Sequence, residues 1–252
     1  MTVRIIVNAD DLGVSEVVNE AIFCAIERRV ITSATMLANG QEVARAARLV
    51  PRFPDCSFGV HLNLTDFKPV CADSSRSLLK ILNSQGCFNG NSIREVSIGI
   101  PMLKAIYREW CAQIEHLIRL GVHPTHLDSH HHVHTIPQLL PVLAALRRRY
   151  HINRARISRN MYDPSAPASR LLLAEKSVFN SALRWMGFRT AGVFTELEIY
   201  LRQCADRPPG ASVVELMTHP GSALSAEETR LLAGDWTKVL SYTPTLISFK
   251  AL

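Results

Sequence analysis

Five of the ten histidines, His126, His130, His131, His132 and His134, fall within nine residues, with Asp128 and Ser129 among them. Neutral imidazole is the commonest side-chain ligand for a borderline divalent metal, and a carboxylate beside such a ring can orient it through the second nitrogen. Solvated histidine tracts also exist, so the run takes its meaning from its company. Asp10 and Asp11 close the apolar stretch Val3 to Ala9, His61 lies near the end of Cys56 to Leu64, and His219 follows Ser212 to Met217. Taken singly, the aspartates read as a turn or helix cap, His61 as a satisfied core residue and His219 as a loop residue. All of these groups nevertheless sit at the C-terminal end of an apolar stretch, and that recurrence favours one shared site over coincidence.

The stretches are short and rich in β-branched residues, which predicts buried strands. The expected strands are Val3 to Ala9, Ile31 to Ala38, Cys56 to Leu64, the approach to Leu127, Asn153 to Ser158 and Ser212 to Met217, with a weaker one within Tyr242 to Leu252. Helical spacing fills the intervals: Ser15 to about Arg29, Val43 to Val50, Ile93 to Leu120 with Pro101 at a start or kink, Pro137 to Tyr150, Ser169 to Met186, Phe194 to Cys204, and a last helix opened by Ser225. Strands alternating with helices predict an α/β chain with a parallel sheet and right-handed crossovers. Thr65 to Ser92, with Pro69, Gly86 and Gly90, breaks the rhythm. It is too polar for core and reads as a long loop or lid, an insertion at about 65–92 in a single barrel-sized domain spanning 1–252.

In a (β/α) barrel the strand ends converge on one face. Two histidines and one carboxylate then make a facial metal triad with positions open to water and substrate, as a hydrolytic site requires. Adjacent residues at a strand end point in different directions, so one aspartate of the Asp10-Asp11 pair can bind the metal while the other takes a proton from metal-bound water. Alternation in Arg156-Ile157-Ser158-Arg159 puts one arginine inward, and a buried Arg156 near Asp10 would keep that carboxylate ionised. An exposed charge on the barrel rim is the competing reading of Arg156. Pro220 restricts the backbone of His219 to extended conformations, which suits an acid that protonates a departing amine. A third histidine ligand, or a contact to Asp128, are the alternatives for His219.

The 252 residues are 47% hydrophobic and 20% charged, as in a globular chain with a sizeable core. The net charge of +6 is spread along the sequence. Without a basic face interleaved with aromatics, nucleic acid is not an expected partner. The six cysteines show no C-x-x-C and no regular spacing, which points to a reduced compartment. No run reaches transmembrane length and the N-terminus lacks a signal-peptide pattern, so a cytoplasmic enzyme is expected, with a homo-oligomer left open.

Four motifs, Asn8-Ala9-Asp10-Asp11-Leu12-Gly13, Gly59 to Thr65, Thr125 to His134 and Glu215 to Pro220, resemble the successive motifs of the YdjC/ChbG family of carbohydrate deacetylases. The resemblance implies a TIM-like barrel, often incomplete and here seven-stranded, with its active site at the C-terminal ends of the strands. It further implies metal-dependent removal of N-acetyl groups from amino sugars. By the same analogy Asp11, His61 and His130 hold one divalent ion, magnesium or zinc, and Asp10 is the general base. Hydrolysis of another amide or of a phosphoester at the same site, and a catalytically silent sugar-binding barrel, are the alternative functions.

Overall fold

The computed structural model describes residues 2–71, 75–90, 92–222 and 226–252. In chain order its elements are β1 (Arg4–Leu12), α1 (Glu16–Glu27), β2 (Ser33–Met36), α2 (Val43–Leu49), β3 (Ser57–Leu62), α3 (Ser92–Glu95), α4 (Ile100–Arg119), β4 (Leu127–Ser129), α5 (Leu140–Tyr150), α6 (Arg170–Trp185), β5 (Val193–Glu196), α7 (Leu197–Cys204), β6 (Val213–Thr218), α8 (Ala226–Ala233) and β7 (Thr245–Leu246). The named strands pair in parallel in the order β4-β3-β2-β1-β6-β5, and β7 pairs with β1 beneath the start of β2. Between β4 and β5 the ring is bridged by an irregular segment. Arg156 N donates to Leu127 O on one side, and Arg189 N donates to Asn153 O on the other. The architecture is thus an incomplete (β/α) barrel.

Side chains alternate along each strand, and the register carries that alternation round the ring. Ile5, Val7, Phe58, Val60, Val214 and Leu216 face outward into one core shared with Ile22, Phe23, Ile106, Trp110 and Ile114 of the helices. The inner face is different. Asn8, Asp10, Thr35, His61, Asp128, Arg156 and Glu215 are all buried there and bonded to one another. The floor is apolar, with Ile6, Ala191, Val213 and Phe249 packed together. The C-terminal segment delivers Phe249 to that floor, where its backbone N–H donates to Ser33 Oγ and that of Lys250 to Ser57 Oγ.

Local signals account for most of the helices. Ser15 and Ser169 accept hydrogen bonds from Val18 N and Leu172 N as N-caps, and Pro101 sits in the first turn of α4, where its missing N–H is harmless. The single helix expected over Ile93 to Leu120 is instead two, broken at 96–99. The helix expected from Phe194 begins at Leu197, because Val193–Glu196 is a strand pairing with β6. Asn153 to Ser158 forms isolated bridges rather than a strand, since β4 offers it only a short ladder. Segment 65–92 is more than a polar loop: Leu78, Ile81 and Phe88 are buried in the main core. Residues 72–74 and 91 of that segment, and the cap Ser225, lie outside the described residues. Among the described residues no helix is long and apolar enough to cross a membrane, and all six cysteines are free thiols.

Gly59 illustrates how tightly the interior is filled. A Cβ there would lie 2.7 Å from three atoms of the His126 ring, which is stacked against Phe249 with centroids 3.8 Å apart. Gly59→Ala is therefore expected to destabilise the fold by about 1–3 kcal/mol through overpacking. Urea denaturation of the variant measures this, and an unchanged midpoint would show that the ring can yield.

Candidate metal centre

Asp10 and Asp11 both reach the barrel mouth although they are adjacent, because the β1 register shifts between Ala9 and Leu12. Asp11 sits there at φ 68°, a conformation aspartate tolerates better than most residues. His61 is the penultimate residue of β3, and His130 opens a 3-10 turn just after β4. His131 and His132 in that turn also have positive φ, 49° and 56°, backbone strain of the kind that persists where surroundings over-determine it. Arg94 fixes the turn from outside by donating to His131 O.

Asp11 Oδ1 lies 3.2 Å from His61 Nε2 and 2.8 Å from His130 Nδ1. Nevertheless this buried oxygen makes no well-aligned hydrogen bond to either ring. Three ligand atoms crowding one point without mutual hydrogen-bond alignment is what ligands of a common ion look like, and the N/O donor set suits a divalent ion. These residues therefore fit a metal. Asp10, His61 and Asp128 also lie close together, but Arg156 Nη1 already stands 2.6 Å from Asp10 Oδ2 and 2.9 Å from Asp128 Oδ2. Both carboxylates of that inner cluster are thus already engaged by the guanidinium.

Arg156 is fully buried and is the hub of the barrel interior. It binds Asp10 with two nitrogens, at 2.6 and 2.7 Å, and Glu215 Oε1 through Nε at 2.6 Å, with the Phe194 ring 4.7 Å beneath its guanidinium. Burial alone would raise the Asp10 pKa, but Arg156 outweighs it and holds the carboxyl well below its ordinary range. Burial pushes Glu215 up to about 7 in spite of Arg156. For His61, burial is outweighed by Asp128, Asp10 and Asp11, which lift the imidazole to about 10. Asp10, Asp11 and Asp128 against one guanidinium leave surplus negative charge at His61, and a proton or a cation must meet it.

His219 stands at the mouth with Nε2 4.0 Å from Asp10 Oδ2 and its side chain about one-third exposed. Its backbone N–H donates to the Glu228 carboxylate. Among the described residues His219 belongs to none of the ligand clusters, and its carboxylate neighbour is Asp10, not Asp128 as one sequence alternative had it.

Further residues support the site, among them Asp128, the carboxylate that the sequence offered to orient an imidazole. Asn8 Nδ2 donates to Asp10 Oδ1 at 2.8 Å and to Thr35 Oγ1 at 3.1 Å, while its own Oδ1 is 3.1 Å from His126 Nε2. His61 Nδ1 is 2.8 Å from Asp128 Oδ1, and Thr35 donates to the other oxygen of that carboxylate. Asp66 Oδ2 is 3.0 Å from His130 Nε2. The signal for Asn8 was its place two residues before Asp10 on an inward-facing strand.

With this geometry in view, the comparisons decide the lineage. The pattern of the YdjC-like protein family matches residues 4–242. The chain belongs to that family. A carbohydrate deacetylase of Halalkalibacterium halodurans is 38% identical over 151 residues, covering 58% of this chain and 61% of the relative. A carbohydrate deacetylase of Geobacillus stearothermophilus is 40% identical over 147 residues, with 57% of the relative covered. The match thus spans about three fifths of the length of those two relatives. A Xenopus laevis carbohydrate deacetylase is 30% identical over 261 residues, covering 90% of this chain and 83% of its own. A crystal structure from Enterococcus faecalis V583, of a protein provisionally named for cellobiose-phosphate cleavage, superposes with a TM-score of 0.77 at 26% identity over 100% of this chain and 99% of that one.

The histidines behind the site set a pH limit on stability. Burial, reinforced by Arg156, holds His134 at about 3 and His126 well below its ordinary value. The unfolded chain protonates these rings near pH 6.5, so as pH falls from about 6.5 toward 3 it gains protons that the native chain refuses. Stability should drop in that window by up to about 1.4 kcal/mol per pH unit for each histidine. Denaturation midpoints of His134→Gln should fall less steeply than wild type between pH 7 and 5. Parallel slopes would mean that native His134 takes up its proton as readily as the unfolded chain does.

Proposed function

We propose that this chain is a metal-dependent deacetylase that removes the N-acetyl group from an acetylated amino sugar. The observation that carries the reading is the convergence of Asp11, His61 and His130 beside the arginine-paired Asp10. The family membership and the named relatives support it. Asp11 Oδ1, His61 Nε2 and His130 Nδ1 would hold one divalent ion. Two imidazoles and a carboxylate favour zinc over magnesium, which prefers oxygen ligands. When bound, the ion supplies Lewis acidity to an acetamide carbonyl and lowers the pKa of water.

The protein's own groups do the rest. Asp10 accepts the proton of the attacking water, and Arg156 keeps it ionised and fixed in direction. His219, whose Nε2 stands 4.0 Å from Asp10 Oδ2, donates a proton to the leaving amine. Asp66, beside His130, and Asn39, which donates to the carbonyls of Asp66 and Lys68, would shape the sugar subsite within this one barrel domain. The free thiols favour a reducing, cytoplasmic setting.

Acetate release from N-acetylglucosamine oligomers, assayed with added zinc or magnesium and with chelator, tests the reading. No release from any acetylated amino sugar would sink it. Asp10→Asn should keep the ion and lose about two to four orders of magnitude in kcat, whereas Asp11→Asn should lose the ion as well. Identical behaviour of the two variants would contradict the division of roles. His219→Ala should retain its ion and be slow on the acetamide, yet spare an activated acetyl ester whose leaving group needs no proton. Equal loss on amide and ester would remove the acid role.

A further inference from the structure

Both imidazoles of the candidate centre carry a carboxylate on each ring nitrogen. His61 has Asp11 at Nε2 and Asp128 at Nδ1, and His130 has Asp11 at Nδ1 and Asp66 at Nε2. A neutral imidazole has one bare nitrogen and one N–H. If the bare nitrogens of both rings face Asp11, where an ion would be shared, each N–H must be directed at the second carboxylate. We propose that Asp66 is the positioning residue that fixes the tautomer and orientation of His130 for divalent-ion binding, as Asp128 does for His61. The inference rests on the reading of Asp11, His61 and His130 as the ligand set.

The surroundings of Asp66 are built to hold it there. Its backbone N–H donates to Asn63 Oδ1, and its carbonyl accepts from Asn63 Nδ2 and Asn39 Nδ2. Thr65 Oγ1 donates to the carboxylate itself. Asn63 is clamped in turn by Gln113 of α4, which accepts from Asn63 N and donates to Asn63 O and to buried Glu109. The same Glu109 accepts the backbone N–H groups of Val70 and Cys71. Through these bonds α4 sets where the Asp66 carboxylate meets His130. Asp128, by contrast, is inseparable from the Arg156 network. Asp66, whose side chain is 44% exposed, can be removed without opening that network.

Asp66, His130 and His131 also lie together as ligands of a second ion might. Lone-pair count decides against that arrangement. With Nδ1 bare toward Asp11, His130 Nε2 bears hydrogen and cannot ligate, and His131 Nδ1 is 3.0 Å from Thr65 Oγ1 but 3.6 Å from Asp66.

Zinc titration of the full chain against a chromophoric chelator tests the inference, with thermal melts confirming the fold. Asp66→Ala should weaken zinc binding about ten- to a hundredfold, the usual worth of a group that orients a metal-binding histidine. Asp66→Asn, which keeps an acceptor oxygen without the charge, should lie between the two. His131→Ala should leave one ion per chain at unchanged affinity. Wild-type affinity in Asp66→Ala overturns the proposal, as does a second equivalent of zinc that His131→Ala abolishes. Because the readout is ion binding, zinc-loaded wild type that releases no acetate would sink the deacetylase reading alone.

Discussion

The buried guanidinium of Arg156 is the contact on which the rest of the barrel interior depends. It reaches Asp10 on β1, Asp128 on β4 and Glu215 on β6, so one side chain ties together three strands and the irregular segment that carries it. Desolvating such charges is costly, and their attraction offsets the cost only when hydrogen bonding is nearly complete. Here Asn8 and Thr35 supply further donors. Removing one member of such a buried cluster typically costs about 3–5 kcal/mol, because the remaining charges are stranded.

The two faces of each strand have separate tasks. The outward face packs against helices and stabilises by apolar burial. The inward face is polar above an apolar floor, and the floor is completed by the C-terminal segment, with Phe249 stacked on His126 and His126 adjoining Asn8. A continuous line of contacts therefore runs from the chain's last residues to the carboxylate of Asp10. Left-handed backbone gathers at the mouth, at Asp11, His131 and His132, and occurs also at Phe67 and, where α1 and α5 end, at Arg29 and His151. Three such residues at the mouth are in keeping with a rigid scaffold that holds a few side chains where the chemistry needs them.

Much of this was legible in the sequence, for reasons that can be named. Apolar, β-branched stretches ending in Asp, His or Asn identify strands and their C-terminal ends, which is why Asp10, Asp11, His61, His130 and His219 were picked out and why they meet. Alternation asked for one inward arginine in Arg156 to Arg159 and left a rim position for Arg156 open; the fold buries it. Contacts between distant stretches leave no local trace, so Asp66 at His130, Asn8 at His126 and Glu228 at His219 were not foreseen. Phe194 to Glu196 was taken into a helix because Phe, Thr and Glu before Leu-Glu-Ile-Tyr do not reveal a buried neighbour such as β6. The buried Leu78, Ile81 and Phe88 were missed because they are sparse among polar residues, and only the tertiary fold collects them.

We propose that the surplus negative charge above Arg156 holds a single cation between Asp11 Oδ1, His61 Nε2 and His130 Nδ1. Anomalous scattering at the zinc edge, from crystals grown with zinc and refined without restraints on the site, tests it most directly. The predicted result is one strong peak bonded to those three atoms, with His61 Nδ1 still at Asp128. A chain that crystallises with that position empty, or with its zinc held only by Asp66 and His131, would contradict the account.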